Sequence, residues 1–196
     1  ICSLKPFVDR LSYSVIFEMD EKANVIDYKI SKTIIRSDFR FTYRSAQDVI
    51  DTSSGPFSKE LLFLNRVAEK LRAKRKKEGS INFESREVKF VLDKKNTPID
   101  VSFKSLFSTN HLIEEFMLLA NKTVASHVGF NKKTPSIYRV HDKPDKEKIA
   151  VLSNIVKGFG HSFNASSKNL SSSLNTLLSA VKGKKEQRLV ETLAVR

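Results

Sequence analysis

Ser108-Thr109-Asn110-His111-Leu112-Ile113-Glu114-Glu115-Phe116-Met117-Leu118-Leu119-Ala120-Asn121-Lys122-Thr123-Val124-Ala125-Ser126-His127-Val128 carries the helical period that organises the chain. Leu112, Ile113, Phe116, Met117, Ala120, Val124 and Ala125 supply a wide apolar face, which predicts a central helix opened by Ser108 or Thr109. Its polar side is more informative. Glu114 and Asn121 stand seven residues apart, about 700° of helical rotation, so they share a side, and His111 lies on roughly that side too. A carboxylate on a largely buried helix needs a partner or a task, because a lone buried charge is costly. Two readings of Glu114 follow: a structural salt bridge or helix-end contact, and a carboxylate accepting hydrogen bonds from ligand hydroxyls.

Upstream, a strong helix is predicted over 58–77, with Leu61, Leu64, Val67, Ala68 and Leu71 as its buried stripe and Gly79 as its stop. The same helix carries Arg66, Lys70, Arg72, Lys74, Arg75, Lys76 and Lys77. Directly behind it, Gly79-Ser80-Ile81-Asn82-Phe83-Glu84-Ser85-Arg86-Glu87-Val88-Lys89-Phe90 sets an aromatic ring and two carboxylates. A positive track ending in a flat ring suits a single nucleic-acid strand. Phosphates need cations, and a base needs a face to stack on.

The remaining elements read as mixed α+β. Residues 11–19 and 25–35 alternate around the turn Asp20-Glu21-Lys22-Ala23-Asn24, the pattern of an antiparallel hairpin. Phe39, Phe41 and Tyr43 continue a period of two, and Ser45 is the expected cap of a short helix through Ile50. Short strands are predicted at 89–92, 99–103 and 136–140, and helices at 145–157, 174–181 and 186–195. Residues 161–173 are Ser/Asn-rich, the nearest thing to a linker. The expected fold is helices packed on a mostly antiparallel sheet, with one domain as the default at 196 residues.

Lys+Arg 35 against Asp+Glu 22 leaves a net charge of +13, which argues for a polyanionic partner. A solvated, highly soluble surface is the plainer reading of the same charge. A hydrophobic content of 40% with fourteen Phe supports a genuine core and excludes wholesale disorder. Cys2 is the only cysteine, so no internal disulfide forms and a cytosolic compartment is expected. No apolar run has the length of a membrane span, and no signal-peptide pattern opens the chain.

Catalytic signatures are missing. His111, His127, His141 and His161 have no metal-type spacing, and neither a glycine-rich phosphate loop nor a Gly-x-Ser-x-Gly elbow occurs. The carboxylates are scattered, with no Asp cluster to hold magnesium. On its residues alone, the chain reads as a basic binding module without its own catalytic centre.

Five segments together resemble the catalytic domain of the ribonuclease II / ribonuclease R family of processive 3′→5′ exoribonucleases. Ile1-Cys2-Ser3-Leu4 through Val8-Asp9-Arg10-Leu11-Ser12 is similar to its C-S-L…D-R-L run, and Phe41-Thr42-Tyr43 to its L-T-Y. Gly79 to Glu84 with Glu87, Lys89 and Phe90 resembles its G-x-x-x-F-E-x-x-E-x-K-F. His111 to Met117 with Ala120-Asn121 resembles H-x-L-I-E-E-x-M…A-N, and Arg139-Val140-His141-Asp142-Lys143-Pro144 resembles R-x-H-D-x-P in the wording of the ribonuclease R branch.

The resemblance implies roles position by position. Phe83 matches the aromatic that stacks on the 3′-terminal bases; Tyr43 and Glu114 match the residues that contact the terminal ribose. Arg139 and His141 lie in a family motif and are carried over as substrate contacts. The family's magnesium-binding aspartates match nothing here, and would precede Ile1. Its arginine motif S-P-I-R-R-Y would follow Arg196, and its cold-shock and S1 domains would lie outside this stretch.

The chain is therefore expected to be the central part of such a catalytic domain, cut from a magnesium-dependent enzyme that releases nucleoside 5′-monophosphates from single-stranded RNA. The piece itself is expected to be inactive. The alternative is a non-catalytic RNA-binding relative of the same fold, and a weaker third reading is a basic scaffold for acidic proteins.

Overall fold

The structure, a computed structural model, describes residues 3–81, 88–103, 106–131, 135–140, 142–164 and 170–195. Two of the sequence-derived site residues, Phe83 and His141, lie outside the described residues. The fold is α+β, as expected, and its named strands pair only in antiparallel fashion. They form two separate two-stranded ribbons instead of one sheet. The chain packs as two compact units, Ile1–Ala73 with Ser105–Ile137, and Lys74–Lys104 with Tyr138–Arg196.

In the first unit, β1 (Asp9–Met19) pairs with β2 (Val25–Arg36). The turn between them is built by Asp20, whose carboxylate accepts the Asn24 backbone N–H at 2.7 Å and its side-chain amide at 2.6 Å. Buried Ala23 takes a left-handed φ of 56° to complete it. Across the ribbon the Ser14 and Thr33 hydroxyls meet at 2.6 Å.

Helix α1 (Tyr43–Thr52) starts earlier than expected. Thr42, not Ser45, is its N-cap: the Thr42 hydroxyl accepts the Ser45 N–H at 3.1 Å, and the Ser45 hydroxyl accepts the Thr42 N–H at 3.0 Å. Ser45 thus completes a reciprocal capping box as its third residue. The alternation over Phe39, Phe41 and Tyr43 is too short to compete with that cap. Phe39 and Phe41 stack at 4.5 Å between centroids outside any strand, and Tyr43 becomes the first helical residue.

Helix α2 (Ser58–Lys77) has the bounds its periodicity predicts. Of its expected stripe only Ala68 is fully buried, while Leu64 remains 37% exposed. Helix α3 (Ser108–Ser126) runs on into a π-helical turn, His127–Asn131. It buries Thr109, Leu112 and Glu115, yet Ile113 and Met117 are each 52% exposed. Its apolar face is wider than the surface that covers it, so it is half-buried rather than central.

The second unit holds β3 (Val88–Leu92) and β4 (Pro98–Phe103), joined by a turn in which one Asp93 oxygen accepts the Lys95 and Thr97 N–H groups. Helix α4 (Lys146–Gly158) is capped by Asp145, and α5 (Leu170–Val181) and α6 (Gln187–Val195) complete the unit. Its core joins Leu152 and Val156 of α4, Leu174, Leu177 and Val181 of α5, and Val190 of α6.

Phe163, 6% exposed, belongs to that core too. The linker expected at 161–173 is thus anchored in its described part, and α5 starts at Leu170 instead of Leu174. The strand expected at 136–140 has no regular structure. An extended segment becomes a strand only when a neighbour takes its backbone hydrogen bonds, and none of the described strands does so there.

His161 and Glu186 lock this unit from outside its apolar core, His161 Nε2 lying 2.8 Å from Glu186 Oε1. The hydrogen bond from His161 holds the Glu186 carboxyl below its ordinary range. A carboxyl depressed in the folded state contributes stability above its unfolded pKa, and that contribution is lost as the pH falls through the folded value. Glu186→Gln is therefore expected to flatten the acid limb of a Tm-against-pH curve; an unaltered acid limb would show that the pair does not stabilise the unit.

Candidate nucleic-acid interface

Tyr43 and Glu114 stand on α1 and α3, which are tied together at their N-termini. The Thr109 hydroxyl donates to the Tyr43 carbonyl at 3.0 Å. The Gln47 side-chain oxygen accepts the Ser108 hydroxyl at 2.8 Å and the Thr109 N–H at 3.2 Å. The Tyr43 residue is 49% exposed, so its backbone is fixed while much of its surface faces solvent.

Glu114 lies one and a half turns further along α3. Its Oε2 is 3.2 Å from His111 Nδ1 and 3.8 Å from Arg72 Nη1 of α2. The Glu114 side chain is 41% exposed and the Arg72 side chain 17%. The salt-bridge reading of Glu114 is met by Arg72, and the carboxylate remains open to solvent. An ion pair this exposed is worth only about 0–1 kcal/mol. Its consequence is orientation: two cationic or donor groups converge on one oxygen and restrict how the carboxylate turns.

The basic helix is partly committed to the fold. Besides Arg72, Lys70 Nζ reaches the Glu21 carbonyl at 2.5 Å and Arg75 Nη1 donates to the Ser80 hydroxyl at 2.6 Å. Arg66, Lys76 and Lys77 are exposed. The last turn, with Lys74 to Lys77, places four cations where the helix carbonyls concentrate negative potential. Gly79 ends it with φ 97°, as its position predicts, and the Ser80 N–H returns to the Arg75 carbonyl at 3.1 Å. Asn175 of α5 donates to the Ser80 carbonyl at 3.0 Å, and Ile81 packs on the core. The backbone leading toward Phe83 is thereby anchored.

Arg139 belongs to the second unit and is exposed, in a segment without regular structure. A pocket of about 360 Å³ borders α1, lined by Arg44, Gln47, Asp48, Asp51, Phe107 and Ser108 among others. Arg44 sits 5.8 Å above the Phe107 ring there. Neither Tyr43 nor Glu114 lines this pocket. Among the described residues no group of three or more His, Cys, Asp or Glu is placed to hold a metal ion. Among the described residues no helix is long and apolar enough to cross a membrane.

Sequence reasoning missed the Arg72–Glu114 pair and the part played by Gln47 and Thr109. A weak signal was present for Gln47, which stands one turn after Tyr43 on the same helix face. Nothing local links it to Ser108.

Comparison with known proteins gives the family. The chain matches the RNB domain across residues 1–196, and it belongs to that family. Ribonuclease R of Thermotoga maritima is 36% identical over 205 residues, an alignment spanning 100% of this chain and 28% of that protein. Among solved structures, Mycoplasma genitalium RNase R in complex with ribose methylated single-stranded RNA superposes with a TM-score of 0.86 at 25% identity, covering 98% of this chain and 31% of that one. Yeast Ssd1, described as a pseudonuclease, shares the fold alone, with a TM-score of 0.69 at 16% identity over 97% of this chain and 23% of its own. The chain spans less than a third of the length of these relatives.

Proposed function

We propose that this chain supplies the substrate-holding part of a 3′→5′ exoribonuclease that threads single-stranded RNA and releases nucleoside 5′-monophosphates processively. The RNB match over residues 1–196, joined to the likeness with an RNase R that holds single-stranded RNA, is the observation that carries it. Phe83 stacks on the terminal bases. Tyr43 and Glu114 read the last ribose, and Arg139 and His141 add contacts to the strand.

In this reading hydrolysis belongs to magnesium held by aspartates outside the chain, and cold-shock and S1 domains flank it in a cytoplasmic protein. This chain's own residues bind, orient and discriminate. A nuclease and a pseudonuclease carry the same fold, so the reading rests on the family match and the contact residues rather than on architecture.

Stacking of one base on an aromatic ring contributes roughly 1–3 kcal/mol. Phe83→Ala in the full-length protein is therefore expected to shorten the lifetime of the RNA complex by about 5- to 150-fold. Digestion should turn from processive to distributive, read as intermediate-length products in a single-encounter assay with a heparin trap. Unchanged kinetics would remove Phe83 from the site.

A further inference from the structure

We propose that Gln47 and Thr109 form a positioning clamp that sets Tyr43 against Glu114, and thereby sets how strictly the 3′-terminal sugar is read. The inference rests on the ribose-reading role assigned above to those two residues; neither clamp residue touches the RNA.

The first N–H groups of a helix have no partner within it. In α3 the capping position is Phe107, whose side chain has no acceptor to offer. Asn110 closes the Phe107 end, accepting the Phe107 N–H at 2.9 Å and donating its own N–H to the Phe107 carbonyl at 3.1 Å. The Thr109 N–H is met from α1 by Gln47, whose side-chain oxygen also accepts the Ser108 hydroxyl. Its amide nitrogen donates to Asp51 Oδ1 at 2.7 Å, which fixes which way the amide faces.

Thr109 returns a bond to the Tyr43 carbonyl. Tyr43 and Gln47 are four residues apart and share a face of α1, so both bonds cross the same junction. Thr109 is 3% exposed, which keeps water from replacing either bond cheaply. The start of α1 and the start of α3 consequently move as one piece. Glu114 follows Thr109 by five residues on α3, about 7.5 Å along the axis. A displacement of about 1 Å in such a constellation costs about 100-fold in rate.

The test is steady-state kinetics of the full-length protein on RNA and on the same oligomer ending in a 2′-deoxy sugar. In Gln47→Leu and Thr109→Val the ratio of kcat/KM for RNA over the deoxy end is expected to fall about tenfold, the weight of one buried hydrogen bond. Thr109→Ser, which keeps the hydroxyl, is expected to restore it. An unchanged ratio, or an equal loss on both substrates, would overturn the clamp. If Thr109→Val does not fold, Gln47→Leu at its half-buried position decides. Tyr43→Ala, run beside them, separates the two claims. A ratio that responds to Tyr43 but not to the clamp overturns only the clamp; a ratio indifferent to Tyr43 overturns the sugar reading and the clamp with it.

Discussion

In the full-length protein, Tyr43→Ala combined with Glu114→Ala is expected to narrow the preference for an RNA 3′ end over a DNA 3′ end by about 100-fold. The size follows from chemistry: a site built to hydrogen-bond a substrate hydroxyl leaves its own polar groups unpaired when that hydroxyl is missing, at about 1–3 kcal/mol for each group. Removing the readers abolishes the penalty against DNA while leaving phosphate contacts in place. The narrowing should appear as a gain in kcat/KM on the DNA end together with a loss on RNA.

Glu114 brings a complication, because it is also the partner of Arg72 and His111. Glu114→Gln is the appropriate companion: it keeps a polar group beside Arg72 and removes only the charge. Should the double variant still reject a DNA 3′ end as strongly as the parent, the assignment of sugar reading to these residues is wrong.

What the sequence disclosed depended on the range of the interaction. The limits of α2 are set by its own apolar spacing and by Gly79 just past its end, and both are visible locally. The β1–β2 ribbon was legible for the same reason, since alternation and an Asp-to-Asn turn specify it within one short stretch. Failures occurred where tertiary contacts decide. Phe163 sits in a Ser/Asn-rich segment whose composition reads as linker, yet its ring is buried with Val156 and Leu177. Residues 136–140 have the composition of a strand and no described neighbour to pair with.

The site divides in the same way. Glu114 is singled out by helical spacing and by the motif around it, whereas the cost of burying a charge applies to its neighbour Glu115, 3% exposed, and not to Glu114, whose side chain is 41% exposed. That Arg72 would meet it was not legible, because α2 and α3 are brought together only by the fold. Likewise, α3 opens at Ser108, one of the two residues its sequence offers, but the partner of that start is not local. The structure shows Ser108 and Thr109 served by Gln47, from a helix about sixty residues earlier. A side chain capping another helix leaves no local pattern to find.

The second large effect concerns turnover itself. On the proposed reading, in which hydrolysis belongs to aspartates outside the chain, the chain is expected to retain RNA and leave it intact. Uncatalysed phosphodiester cleavage is so slow that loss of the chemical centre removes many orders of magnitude of rate. Holding, by contrast, needs only cations and rings. The direct measurement is incubation of the folded chain, checked by circular dichroism, with 5′-labelled single-stranded RNA and magnesium, read by gel shift and by denaturing gel. A shifted band with full-length RNA recovered unshortened is the predicted result; a ladder of shortened products, or no retention of RNA at all, would contradict the account.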